Sequence, residues 1–330
     1  MKALVYTAPK TLELRQVADP VADPGQALIR VDAVGICGSD MHAYLGHDDR
    51  RPPPLILGHE AAGVALSGQL KGRRVTVNPL TSCGICDFCI EGRDNICPSR
   101  KIISIAPREG AFAEKIVISE RNLVEVPDAV AIEHAALAEP IACGWHAVGL
   151  AARVLARPLA AARVVVIGGG AIGIGAALTL AAHGARDIHI AETNSARHPV
   201  LTAAGPFQVY DPRAGQPEPG SADLVVDAFG GEASRVAASR LARAGGVIAH
   251  IGLEGGAAGL DMRRITLQEI TVIGTYTYTM ADFREAARAI FTGQLGDFGW
   301  IEQRPLDHGA QAFADLLAGR VAASKVVLRP

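Results

Sequence analysis

Four cysteines, Cys83, Cys86, Cys89 and Cys97, fall within fifteen residues in the order C-x2-C-x2-C-x7-C. Four thiolates this close can close a tetrahedral shell around zinc and leave no open position, the pattern of a structural site. Gly84, Gly92 and the charges between the cysteines mark an exposed loop, which suits metal binding better than inert buried thiols. A zinc ribbon that reads nucleic acid carries two separated CxxC knuckles, and this array does not.

A second set is dispersed. GICGSDMH places Cys37, Ser39, Asp40 and His42 just past a strand, and LGHEAAG adds His59 and Glu60. Singly each is ordinary, because a cysteine beside glycine usually packs and a single histidine is usually structural. Together with the four-cysteine loop they become a candidate catalytic site.

Further along, VVVIGGGAIGIG satisfies G-x-G-x-x-G with Gly168, Gly170 and Gly173, directly after a strand and opening a helix. Such glycines let backbone amides approach a pyrophosphate at the helix amino terminus. Glu192 closes the next strand 19 residues past Gly173, where a carboxylate accepts from ribose hydroxyls and repels a 2′-phosphate. NAD is therefore expected over NADP, with Arg197 as the rival signal.

The elements that must position these groups divide in two. From Ala27 to about Val126 the chain shows short β-type runs broken by Gly and Pro. AVAIEHAALAEPIACGWHAVGLAARV then has helical spacing. After it come alternating apolar strands and helices: VVVIG, AIGIGAALTLAAHG, IHIAE, LVVDAFG, EASRVAASRLARAGG as a helix, VIAHIGL and ITVIGTY, then helices near 281–292 and 310–317 and a final strand KVVLRP. That alternation predicts a parallel, doubly wound sheet covered on both faces. With 330 residues, 49% of them hydrophobic, two domains are expected.

A net charge of -2 with scattered Lys and Arg offers no basic face for nucleic acid. Residues 164–185 carry no Asp, Glu, Lys or Arg and are long enough to cross a bilayer, but five glycines between Gly168 and Gly175 argue for a strand-to-helix turn instead. The amino terminus reads as a strand rather than an export signal, so a cytoplasmic enzyme without membrane partners is expected.

GICGSDMH, GHEAAG, the four-cysteine loop and the glycine fingerprint, in this order, resemble the zinc-containing medium-chain dehydrogenase/reductase superfamily over essentially the whole chain. ALAEPIACGWHAV resembles its sorbitol, xylitol, butanediol and threonine dehydrogenase branch, where the Glu of the EP pair, here Glu139, replaces a ligand Cys. The resemblance implies an α/β architecture: a Rossmann doubly wound parallel sheet over 143–275 and a β-rich, GroES-like catalytic domain over 1–142 and 276–330 that carries both zinc sites. It implies Cys37 and His59 as ligands of a catalytic zinc, Glu139 as the third ligand directly or through water, and Glu60 as an alternative ligand. Cys143, one turn beyond Glu139, is a rival donor that carries no ligand in the family pattern. Asp40 would orient His59, and Ser39 and His42 would form a proton relay past the cofactor ribose. Gly168, Gly170, Ile172, Gly173, Glu192, Arg197, Gly252, Leu253, Thr275 and Tyr276 would line the cofactor.

The function so implied is NAD-linked interconversion of a secondary alcohol or polyol with its ketone, using one catalytic and one structural zinc in a homodimer or homotetramer. L-threonine 3-dehydrogenase chemistry is the alternative within that class. A metal-free NADPH reductase conflicts with both zinc sets, and a non-catalytic nucleotide-binding protein would not need Cys37, Ser39, His42 and His59 together. Two departures stand out. Thr277 replaces an Arg that would bond polyol hydroxyls, and GVALSGQLKGRRV is short, which predicts a tighter turn.

Overall fold

The computed structural model describes residues 1–330. Its amino-terminal part is β-rich. A seven-stranded sheet runs Leu123–Glu125, Arg74–Val77, Glu60–Ala65, Gln26–Gly35, Lys325–Arg329, Ile301–Pro305, with Lys115–Ser119 also on Gln26–Gly35. The amino-terminal hairpin Lys2–Ala8 and Thr11–Gln16 forms a small sheet with Leu55–Ile56. The stretch at 66–73 joins the antiparallel strands Glu60–Ala65 and Arg74–Val77.

The second sheet has six strands in the order Gln208–Tyr210, Asp187–Ala191, Arg163–Ile167, Ala222–Asp227, Ala242–His250, Thr271–Gly274, all parallel. In chain order this is 3-2-1-4-5-6. The order reverses between Arg163–Ile167 and Ala222–Asp227, and ligands of such sheets bind in the crevice beyond the strand carboxyl ends at that switch. Val164, Val165, Val166, Leu224, Val225 and Val226 are fully buried, as strands covered on both faces require. No helix is long and apolar enough to cross a membrane.

Two helical expectations need correction. The helix predicted through Gly246 ends at Leu241, and Ala242–His250 is a strand. Gly245 takes φ 68°, and the parallel partner Ala222–Asp227 claims the backbone bonds that a longer helix would have used. The helical stretch after Pro127 is split into Ile132–Ala135 and Ala138–Ala152. Pro140, without an N–H, sits in the first turn of the second helix, where no intrahelical partner is needed, and the first bond is Ile141 N–H to Leu137 O at 3.1 Å.

That helix runs across position 142 and joins the two halves. Gly144 meets the helix Ala171–Ala182 so closely that a Cβ would lie 2.6 Å from Ala176 N. Apolar packing is continuous from Ala33, Ala62 and Val327 of the β-rich part through Ile141 and Val148 to Val164 and Val226.

Candidate active site

Cys37 follows the strand Gln26–Gly35 and caps the helix Gly38–Tyr44, while His59 precedes the neighbouring strand Glu60–Ala65. Pairing of Gly35 with Glu60 brings these strand ends together. One ligand atom each from Cys37, His59 and Glu60 lies within 4.8 Å of the others. Asp40 ties the two loops: its carboxylate accepts from Cys37 N–H at 3.0 Å and Gly58 N–H at 3.2 Å, and one oxygen lies 3.5 Å from His59 Nδ1. Sequence reasoning did not find Ser104, whose hydroxyl lies 3.4 Å from the same nitrogen.

Glu60 is fully buried. Its Oε1 accepts from Lys325 Nζ at 2.6 Å, and Lys325 also donates to Ile36 O at 2.8 Å. Glu60 Oε2 has no hydrogen-bond partner. It stands where a Cβ on Gly35 would be only 1.9 Å away, so glycine leaves the room this carboxylate occupies. Lys325 was also missed by sequence reasoning; its one signal is an ionisable residue opening the apolar strand KVVLR, and its partner lies 265 residues away.

Glu139, in the first turn of its helix, is buried beside this cluster and outside the three-atom set. Its Oε1 accepts from the Tyr278 hydroxyl at 2.8 Å. Burial pushes its carboxyl up to about 7, against the lowering effect of His59. Burial likewise holds the Cys143 thiol well above its usual range, with Glu139 and Cys37 adding to it.

Burial alone would lower the His59 pKa, yet Asp40 and Cys37 outweigh it and raise it well above the usual value. A buried orphan carboxylate oxygen, a thiol and an imidazole brought together in this way fit a divalent zinc ion with an open position.

The four-cysteine loop fits the second metal. Cys83 Sγ and Cys89 Sγ are 3.9 Å apart and Cys86 Sγ and Cys89 Sγ 3.5 Å, near the roughly 3.8 Å edge of a tetrahedron with zinc–sulfur bonds of about 2.3 Å. Cys97 completes the group, and all six cysteines are free. Backbone N–H groups of Ile85 and Cys86 pull Cys83 down to about 6. The N–H of Cys89 acts the same way on Cys86, but burial and the neighbouring thiols push that thiol up to about 12. The loop is also tied to the segment 276–280: Asn95 Nδ2 donates to Tyr276 O at 2.8 Å, and Asp94 accepts from Met280 N–H at 3.2 Å.

Ser39 and His42 are one turn apart on the helix Gly38–Tyr44. His42 Nε2 lies 3.3 Å from Glu254 Oε2, on a loop of the parallel-sheet region. Gly168 takes φ 102°, and Gly173 approaches it so closely that a Cβ would sit 1.7 Å from Gly168 O. Gly170 caps the helix Ala171–Ala182, in whose first turn Ile172 is half-buried. Ser324, from beside Lys325, donates to Gly169 O at 2.8 Å. Glu192 accepts from Gly169 N–H at 3.0 Å and Asn194 N–H at 2.6 Å, with Arg197 at 3.5 Å. Gly252 and the exposed Leu253 lie beyond the carboxyl end of one parallel strand, Thr275 and Tyr276 beyond the next.

The GroES-like domain of alcohol dehydrogenases matches residues 23–128, and the zinc-binding dehydrogenase domain matches residues 171–292. L-galactonate-5-dehydrogenase of Escherichia coli K12 is 31% identical over 309 residues, 89% of this chain and 88% of that protein. Sorbitol dehydrogenase of Bacillus subtilis 168 is 31% identical over 296 residues, 84% of this chain and 82% of its own length. A zinc-binding dehydrogenase from Sinorhizobium meliloti 1021, crystallised with NADP, superposes with a TM-score of 0.86 at 29% identity and covers 100% of this chain and 99% of its own.

Proposed function

Given that this chain belongs to the zinc-binding dehydrogenases built on a GroES-like domain, we propose that Cys37, His59 and Glu139, with Glu60 as exchangeable partner, hold the catalytic zinc of an NAD-linked secondary-alcohol or polyol dehydrogenase. The observation that carries this reading is the convergence of Cys37, His59 and Glu60 within 4.8 Å, with one Glu60 oxygen buried and unpartnered. Bound zinc supplies Lewis acidity toward the substrate hydroxyl, and bound nicotinamide supplies the hydride acceptor.

The remaining work falls to the chain's own side chains. Asp40, holding Cys37 and Gly58 amides as well as facing His59 Nδ1, fixes the imidazole and leaves Nε2 as the nitrogen that would hold the metal. Lys325 keeps one Glu60 oxygen engaged and leaves the other available. Tyr278 fixes the rotamer of Glu139. Ser39 Oγ would take the substrate hydroxyl proton as it releases its own toward the cofactor ribose, from which His42 would pass a proton outward to the side where Glu254 stands. Gly168, Gly170, Ile172 and Gly173 cradle the pyrophosphate. Glu192 and Arg197 face the adenosine ribose, and Gly252, Leu253, Thr275 and Tyr276 flank the nicotinamide. Cys83, Cys86, Cys89 and Cys97 hold the structural zinc.

The same proposal treats 1–142 with 276–330 as the metal-bearing unit and 143–275 as the nucleotide unit, supported by the return of Lys325–Arg329 onto Gln26–Gly35. It places the enzyme in the cytoplasm as a homodimer or homotetramer. The deciding experiment strips the protein with chelator, reloads zinc, and follows reduction of NAD and of NADP across secondary alcohols, polyols and L-threonine. Zinc-dependent turnover favouring NAD is expected. Equal turnover by stripped and reloaded protein would sink the metal roles, and a preference for NADP would sink the role given to Glu192.

A further inference from the structure

A turn from Asp48 to Arg51, closed by the Arg51 N–H on Asp48 O at 3.0 Å, sends two adjacent arginines to different surroundings. Arg50 is exposed and pairs with the Asp48 carboxylate at 2.9 Å. Arg51 meets the same carboxylate through Nη1 at 2.6 Å, yet only 4% of its side chain is exposed. A guanidinium that forfeits its hydration to this extent must be held by the partners it finds inside.

Besides Asp48, those partners are two main-chain carbonyls. Arg51 Nε donates to Ser104 O at 2.8 Å, and Nη1 donates to Ser39 O at 3.3 Å. Ser39 lies in the first turn of the helix Gly38–Tyr44, and Ser104 follows the short strand Lys101–Ile102. Ser104 is fully buried with φ 65°, a left-handed conformation that serine adopts only where its surroundings impose it. That conformation accompanies a hydroxyl 3.4 Å from His59 Nδ1, where Asp40 at 3.5 Å is the other partner. One planar group therefore ties the backbone of Ser39 to the backbone that aims a hydroxyl at His59.

We propose that Arg51 is a positioning residue of the dehydrogenase, holding in register, through two carbonyls, the serine that takes the substrate proton, Ser39, and the serine that steadies His59, Ser104. The inference rests on the dehydrogenase reading above, with Ser39 as its relay group. The need for arginine is geometric. Its N–H groups are fixed in one plane and reach separate acceptors at once, whereas a lysine ammonium is a single point on a flexible stem. Arg50 pairs with the same carboxylate but bonds neither carbonyl through its side chain, and it leaves Asp48 with a cation when Arg51 is changed.

The test compares zinc-loaded wild type, R51Q, R51K and R50Q with NAD and whichever of sorbitol, 2,3-butanediol, L-galactonate and L-threonine the wild type oxidises fastest. R51Q should lower kcat by about 10–100-fold and R51K by about tenfold, the range for a lost supporting partner of a metal site. The KM for NAD should stay within about twofold, so the loss falls on kcat. The solvent deuterium isotope effect on kcat should rise, because proton transfer through a displaced Ser39 becomes limiting. In a Ser39→Ala background R51K should cost no more than about twofold, since one residue acts through the other. R50Q, which takes a charge from the same carboxylate at the surface, should leave kcat within about twofold. R51K keeps a cation beside Asp48 and carries the test if R51Q does not fold. Wild-type kcat in R51K, a loss that is undiminished in the Ser39→Ala background, an unchanged solvent isotope effect, or an equal loss in R50Q each overturns the proposal while the wild type stands as an active dehydrogenase. Wild-type protein that carries zinc, binds NADH and oxidises none of the four substrates overturns the dehydrogenase reading itself.

Discussion

Lys325 and Glu60 form an ion pair at 2.6 Å that is sealed from solvent on both sides, 3% and 0% exposed, with a second lysine proton on the carbonyl of Ile36. Such a pair adds little net stability compared with an apolar replacement, but breaking it from one side leaves a bare buried charge. Lys325→Met should therefore lower the unfolding free energy by about 3–5 kcal/mol, and Lys325→Met with Glu60→Gln should recover much of it. Urea denaturation of the four proteins in a double-mutant cycle measures the coupling. Independent, additive losses would show that the pair is not energetically linked.

Ser39 stands one helical turn from His42 and, in the proposed relay, takes the substrate proton. Ser39→Ala should reduce kcat by about 10²–10⁴-fold, the usual range for a lost proton-transfer group, with cofactor affinity little changed. Steady-state kinetics with NADH titration by fluorescence separates the two effects. A loss of NADH binding equal to the loss of rate would assign Ser39 to the cofactor instead.

Metal analysis of the purified protein should give two zinc ions per chain and Cys97→Ser one. Because Asn95 and Asp94 in that loop hold Tyr276 O and Met280 N–H, the variant should also lose two hydrogen bonds of about 1 kcal/mol each beside Tyr276, the residue proposed to flank the nicotinamide, and show a raised KM for NAD. Two zinc ions retained in Cys97→Ser would contradict the closed four-thiolate shell.

Asp48 supplies the pH dependence. Burial would raise its carboxyl, but hydrogen bonds from the Arg50 side chain and amide, with the charge of Arg51, hold it at about 2. A depressed native pKa means stability that is present above the unfolded value near 4 and lost as pH falls toward 2. Asp48→Asn should thus cost about 1–2 kcal/mol at pH 6, after allowance for partial solvent screening, and less at pH 3. Urea midpoints of both proteins at the two pH values check the sign. A gap that widened on acidification would remove Asp48 from the stabilising groups.

What was legible in the sequence was local. The cysteine loop and the glycine turn are encoded by spacings of a few residues, and strand–helix alternation announces a parallel sheet. Long-range partners were not legible, because their meeting depends on topology: Lys325 with Glu60, Tyr278 with Glu139, Ser324 with Gly169, and Arg100 with Tyr276 join positions more than 130 residues apart. The misplaced end of the helix at Leu241 has a tertiary cause too. Propensity alone favoured continuing past Ala242, and the pull of a neighbouring strand decided otherwise.

Gly144 and Gly175, facing each other's helices without side chains between them, leave no slack there: a Cβ on either would lie 2.6 Å or 3.3 Å from opposing backbone. The helix Ala138–Ala152, which carries Glu139, and the helix Ala171–Ala182, which starts after Gly170, are therefore packed as a single beam. That contact sets the distance from the Glu139 carboxylate to the glycine turn. Any breathing of the cleft must be taken up by flexure of its margins, among them the Glu254 loop that reaches His42.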